Sequence, residues 1–392
     1  MTDSSLPIPT PDPLALPGPP ELFLGLLVLG FLLHALFMNL VLGGSLIMVM
    51  TDWVGRLNRN ERYARLATTL SHMIPSAMAL SIVLGVAPLL FVQLLYGNFF
   101  YTSTILIGNA WIGIILALIL AYYGLYAYKY RRVWLQDQPG LYLAIGGTSV
   151  VLLLVVALVF VTVSVLMLNP ERWREIQDAG FLGALSVRTV IPRFLHMFLA
   201  SIAGTGIILV LYGAFMSTPW ANHQQSDSWG AIEYRLWVTR YGVAWTLGGT
   251  VPQALVGPWL LLSLPQEVRA ALLDRASAGS IVFFASLAIA LVGLLLLSAA
   301  LMAPHVRGLA LGGVGSLTVT IVLMAIVRDR VRHHWLSPHL DLNSLAVEPQ
   351  WGFIALFGVL FLGGLGVVGY LIHVYLRAQS ATNSVFSTWR FK

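Results

Sequence analysis

The sequence predicts an all-α integral membrane protein, a bundle of about nine transmembrane helices. Three observations carry that prediction. Of 392 residues, 58% are hydrophobic and only 10% charged, whereas a soluble domain carries about 25% charged residues. Mean hydropathy is +0.83. The apolar runs are long enough for the roughly 20 residues a spanning helix needs, and they do not alternate with polar residues. Lipid obliges every backbone polar group to be satisfied internally, which leaves helices or a closed barrel. The lack of alternation excludes the barrel.

The elements follow in order. Residues 1–20 are polar and proline-rich (Pro7, Pro9, Pro11, Pro13, Pro17, Pro19, Pro20). They read as an extended extracytoplasmic segment without the positive start of a signal peptide. Glu21 then opens the first helix, where a carboxylate suits the positive dipole end. Spanning helices are expected near 21–50, 66–96, 103–128, 141–168, 190–216, 238–263, 278–302, 306–328 and 351–377. The domain reading is one transmembrane unit over 21–378 and a cytoplasmic tail over 379–392. The longest loops, 169–189, 217–237 and 329–350, are too short for a further domain.

Charge sets the expected orientation. Arg56, Arg59, Arg62 and Arg65 flank the first turn, and Lys129, Arg131 and Arg132 flank the third helix. Positive short loops stay in the cytoplasm, which places the N-terminus outside a bacterial inner membrane. Arg377, Arg390 and Lys392 then lie inside. Arginines in the outer loops 169–189 and 329–350 break the rule, so they are expected to serve a site or a partner. The net charge of +6 is spread over many loops and implies lipid headgroups, not nucleic acid. With no cysteine, disulfides, thiolate catalysis, iron–sulfur ligation and covalent c-type haem attachment are excluded.

Ionisable groups inside hydrocarbon are costly and mark function by default. Four histidines fall in or at the edge of spans. His34 lies mid-helix in Phe31-Leu32-Leu33-His34-Ala35-Leu36-Phe37, followed by Asn39, Gly43, Gly44 and Ser45, which let another group approach the backbone. A flat haem held by imidazole fits that pattern; the other reading is an interior histidine bonded to a neighbouring helix. His196 stands in Arg193-Phe194-Leu195-His196-Met197, and Arg193 is suited to a haem propionate, or else both side chains reach headgroups. His72 and His373 fall toward the inner side, either as a second site or as residues near water. Arg328-Asp329-Arg330-Val331-Arg332-His333-His334-Trp335 forms an outer cluster for propionates, a substrate or a docking partner. Adjacent histidines point apart, so His333 and His334 do not share a metal. Trp220, Trp229, Trp237 and Trp245 line an aromatic surface that fits a quinone site or an interfacial belt.

Several segments resemble subunit I of the cytochrome bd quinol oxidases. His34-Ala35-Leu36-Phe37 through Leu42-Gly43 to Asp52 resembles its first helix, and Gly85-Val86-Ala87 with Gln93 and Tyr96-Gly97 its second. Met167-Leu168-Asn169-Pro170 is similar to its Met-x-Asn-Pro exit from helix four. Arg193-Phe194-Leu195-His196 is similar to its basic-Phe-x-His start of helix five, and Arg332 to Trp335 to its Gly-Arg-x-Pro-Trp loop. The resemblance implies the bd subunit I fold, with His34 and His196 ligating different haems. Asp329 falls about where that family has a haem-ligating glutamate. The sequence also departs from the pattern. Residues 276–301 contain no methionine to match the family's helix-seven axial ligand. No acidic residue occurs between Arg62 and Gln136 to match its third-helix glutamates. The long quinol loop is cut to about 264–277, and no proline follows Arg332.

The expected function is a haem b membrane subunit, with one or more haems, of a respiratory electron-transfer complex. It would pass electrons between quinone or quinol and a redox partner such as a c-type cytochrome, alongside a further membrane subunit. His34 and His196 are the expected axial ligands, with His72 or His373 as additional ones. Arg193 and Arg332 are the expected propionate partners. A bd-type terminal quinol oxidase reducing oxygen and a haem-free anchor or assembly subunit are the alternatives.

Overall fold

The computed structural model describes residues 9, 15–130, 135, 137–215, 228–274, 277–303 and 306–385. Most of the segment 1–20, and Arg131, Arg132, Trp220, Arg390 and Lys392, lie outside the described residues. The described chain is all-helical: α1 (Pro20–Leu57), α2 (Glu61–Leu106), α3 (Gly108–Tyr130), α4 (Pro139–Leu166), α5 (Trp173–Ala184), α6 (Val190–Phe215), α7 (Ser228–Thr250), α8 (Gln253–Ser263), α9 (Gln266–Leu273), α10 (Ala278–Met302), α11 (Val306–Leu336) and α12 (Trp351–Val385). Among the described residues, eight helices are long and apolar enough to cross a membrane: α1, α2, α3, α4, α6, α10, α11 and α12. The chain is therefore a multi-pass membrane protein.

The expected sixth span, 238–263, is two helices. α7 begins ten residues earlier, at Ser228, and the path breaks at Val251-Pro252 before α8. Glu233, Arg235 and Arg240 make α7 too polar for a simple hydrocarbon crossing. It still runs antiparallel along α6, because added methyls at Gly206, Gly213 and Gly249 would strike Thr246, Thr239 and Ala203 of the opposite helix.

Helices extend past the apolar stretches that mark them in the sequence. α1 and α2 are joined by a turn at 58–60, so Arg56, Arg62 and Arg65 stand on helix ends. More consequential is α11, which continues to Leu336. The cluster expected in an outer loop, Asp329 to Trp335, is instead the last two turns of a helix. Hydropathy ends at Arg328, but backbone hydrogen bonding does not, and Val331, Trp335 and Leu336 keep an apolar stripe that packs.

Packing proceeds by antiparallel hairpins: α1 with α2, α3 with α4, α6 with α7 and α10 with α11. Small residues let the backbones close, as between other membrane helices. α1 and α6 cross where Gly43 meets the Ser201 backbone and Gly204 meets Asn39, and Thr205 Oγ1 donates to the Asn39 carbonyl at 2.9 Å. α12 lies at the periphery with its mid-span largely exposed. Its start is tied to the first residues by backbone bonds from Glu348 to the Leu16 carbonyl (2.9 Å) and Gln350 to the Pro17 carbonyl (2.8 Å).

Candidate functional site

Four helices bring chemistry to one region. On α1, Phe31 and His34 are one turn apart; on α2, Ser81, Gly85 and Tyr96 fall on one face; on α6, Arg193 and His196 do so; on α11, Arg328, Arg332 and Trp335 recur at four- and three-residue steps. α1 packs on α2, α6 and α11, and α11 also packs on α6, so these stripes face one another.

His34 is fixed by α2. Its Nδ1 lies 2.9 Å from the Ser81 carbonyl oxygen. A carbonyl only accepts, so Nδ1–H is the donor and Nε2 keeps its lone pair. The ring lies against Gly85, where an added Cβ would sit 2.9 Å from Nδ1. Any larger residue at 85 would push the imidazole off its carbonyl. His196 is half-buried, and its Nδ1 is enclosed with no hydrogen-bond partner among the described residues.

Around them stands a cationic cluster. The Arg332 guanidinium is 5.5 Å from the centre of the Tyr96 ring, Arg193 is 6.0 Å from the Trp335 ring and Arg328 is 4.1 Å from the Phe31 ring. Arg328 lies one turn from Arg332, and Phe31 one turn from His34, so the cluster continues to the first histidine. Asp329 is the acid here, and its Oδ1 is 3.5 Å from Arg332 Nη1. Three arginines against one carboxylate leave an excess of two positive charges in a low-dielectric setting, where an unmatched charge is costly. An anion placed among these arginines would offset that excess.

The remaining expected residues stand apart. α12 starts beside the start of α1, and α1 and α2 form an antiparallel hairpin, so α12 runs antiparallel to α2 and Phe91 meets Phe357 between them. His72 and His373 are then about 28 Å and about 24 Å along their helices from that contact, at similar depth. Both are exposed, and His72 Nδ1 is turned back onto the Thr68 carbonyl of its own helix at 2.8 Å. Neither joins the cluster. Asp329 is committed to Arg332. Trp237 stacks between Tyr234 and Tyr241, at 5.8 and 5.1 Å, and takes the edge of Tyr63 at 4.9 Å. That is a packed aromatic column at the far end of the bundle. Among the described residues no three His, Asp or Glu side chains converge as ligands for a bare metal ion.

A cavity of about 390 Å³ lined by Asn169, Arg172, Arg188, Arg269 and Trp335 opens at the end of the bundle that holds the cluster. Trp335 is shared between this cavity and Arg193. Beside it Arg172 donates to both oxygens of Glu175 at 2.7 and 2.8 Å, holding that carboxyl below its ordinary range.

The sequence had set apart His34, His196, Arg193, Arg332 and, within the run to Trp335, Arg328, but not as one group. Continuation of α11 as helix puts Arg328 and Arg332 on one face, and Tyr96, noticed in the sequence only beside Gln93, meets Arg332 from α2.

No family model matches the chain, and no curated protein matches it. Among solved structures, the chain is similar to the structure of bd oxidase from Geobacillus thermodenitrificans, with a TM-score of 0.63 and 14% identity over 93% of this chain and 97% of that one. The chain has a bd oxidase-like fold. At that identity the likeness concerns the path of the helices and leaves each side chain to be argued on its own.

Proposed function

We propose that the chain is a haem b membrane subunit of a respiratory electron-transfer complex. The observation that carries this reading is the imidazole of His34, locked by the Ser81 carbonyl on one nitrogen and left with a lone pair on the other. Histidines that ligate a metal commonly donate their second ring N–H to such a carbonyl, which fixes the tautomer and the ring plane. The enclosed, unpartnered Nδ1 of half-buried His196 and the bd oxidase-like fold support it further. So does the charge of the cluster: haem carries two propionates, and Arg193, Arg328 and Arg332 exceed Asp329 by two charges.

The residues therefore fit a haem. His34 and His196 would each ligate a different haem, and Arg193 and Arg332 would pair with propionates, joined by Arg328. Asp329 balances the arginines. Haem iron, when bound, supplies one-electron transfer. The protein's own work is to hold the imidazole planes, to neutralise carboxylates through charge-assisted hydrogen bonds, and to exclude lipid from the centre through Phe31, Tyr96 and Trp335. His72 and His373 are proposed only as accessory ligands at the opposite end. Quinone or quinol on one side and a c-type cytochrome with a further membrane subunit on the other are the proposed exchange partners, in a bacterial inner membrane with the N-terminus outside. The fold likeness also favours a second reading, a terminal quinol oxidase reducing oxygen.

A reduced-minus-oxidised spectrum of the purified chain with pyridine haemochrome quantification tests the first reading. Haem b at one or more per chain is expected, and His34→Ala and His196→Ala should each remove one spectrally distinct haem. Unchanged haem content in both variants would sink the assignment, and a colourless wild-type protein would favour a haem-free anchor. Oxygen consumption with reduced quinol separates the second reading from the first.

A further inference from the structure

Tyr96 is a buried polar group of the cationic cluster whose hydroxyl hydrogen the cluster itself does not accept. Its residue is 1% exposed, and its hydroxyl hydrogen finds no acceptor among the described residues, since Arg332 beside it can only donate. It sits where α2 leaves helical geometry (φ −132°, ψ 29°). Its charged neighbours are Arg332 and Asp329. An arginine has only hydrogens to give, so a guanidinium drawn closer would still leave the phenol's own hydrogen unplaced. The one acid, Asp329, is engaged by Arg332. A buried hydroxyl with no acceptor is costly, and phenylalanine would fill the same space among Phe91, Leu95, Phe99 and Phe100 without that cost.

We propose that the Tyr96 hydroxyl donates a hydrogen bond to the anionic group held by Arg193 and Arg332, under the reading above the carboxylate edge of the haem. The inference rests on that reading. Tyr96 is a positioning residue: it adds a neutral donor beside two charged ones, shares the carboxylate's charge and so favours the reduced iron.

The test uses the purified holoprotein and its Tyr96→Phe variant, which removes one oxygen and keeps the ring. Haem per chain is expected to be retained. At a fixed ambient potential the ferrous-to-ferric ratio of one haem should fall by about two- to tenfold, the range of one hydrogen bond. The propionate bending band in resonance Raman should shift for that haem alone. A haem-replete variant with unchanged ratio and band overturns the proposal and leaves the haem reading intact. Wild-type protein without haem overturns both. Should Tyr96→Phe not fold, fluorotyrosine at position 96 keeps the shape and strengthens the donor. The ratio should then rise, and no change would overturn the proposal.

Discussion

At His34 one ring nitrogen is committed to a backbone carbonyl and the other is not, and the commitment depends on the absence of a side chain at 85. Gly85→Ala would place a Cβ within 2.9 Å of Nδ1, inside ordinary van der Waals contact. The imidazole must rotate off Ser81 or the helices must separate, at a cost of about 1–3 kcal/mol. The expected outcome is lowered haem occupancy or a displaced haem band, read by absorbance of the purified variant; wild-type spectra would mean that the ring is held by something other than the Ser81–Gly85 seat. The reasoning does not transfer to His72, whose Nδ1 is bonded to its own helix and whose ring is exposed. His72→Ala should therefore leave the spectrum of the main site unchanged, and loss of a haem would show that the opposite end carries a centre of its own.

Among the elements, the closest helix contacts set the stability. A methyl at Gly43 collides with the Ser201 carbonyl of α6, so Gly43→Ala should destabilise the α1–α6 crossing by about 1–3 kcal/mol, visible as a lower melting temperature in detergent. The α1–α2 turn behaves oppositely. Arg59 adopts φ 47°, a left-handed position that costs a side-chain-bearing residue about 1 kcal/mol. It stands where the Asn60 N–H reaches back to the Gly55 carbonyl at 3.0 Å and closes the helix end. Arg59→Gly is expected to be neutral or slightly stabilising, and a clear loss would show the guanidinium to be bonded elsewhere. At the other end, Arg172 depresses the Glu175 pKa. A carboxylate whose folded pKa lies below its unfolded one stabilises above the unfolded value and loses that contribution as pH falls through the folded value. Both side chains are exposed, so the pair is screened. Arg172→Gln should change the melting temperature at pH 7 by no more than about 1 °C, and the difference should shrink as the pH falls below the ordinary carboxylate range and Glu175 is protonated.

At the scale of the molecule, orientation is the testable consequence. Arg56, Arg59, Arg62 and Arg65 gather at the end where Arg62 bonds Glu233 at 2.7 Å, opposite the end that holds Trp335. The chain contains no cysteine, so single introduced thiols report cleanly. Asn58→Cys should react with an impermeant maleimide in inverted vesicles but not in intact cells, and Ser337→Cys in intact cells but not in inverted vesicles. The reverse pattern would place the arginine cluster inside and rule out an external cytochrome as its partner.

The sequence by itself determined that the chain is helical and crosses the membrane several times, because transfer into lipid is summed along each helix and needs no knowledge of its neighbours. It also determined which residues were expensive to bury: His34, His196, Arg193 and Arg332 stood out against an apolar background. It misplaced the end of α11 and the break between α7 and α8, since hydropathy marks hydrocarbon thickness and not where backbone hydrogen bonds stop. Only the tertiary structure decided which of the costly groups meet. In a membrane helix the face toward lipid and the face toward protein are both apolar, so periodicity does not report rotation. The register of α1 against α2 seats His34 between Ser81 and Gly85. The rotation of α11 brings Arg328 and Arg332 to Phe31 and Tyr96. Neither quantity is a property of any one segment; both arise when small residues let particular pairs of backbones close on each other.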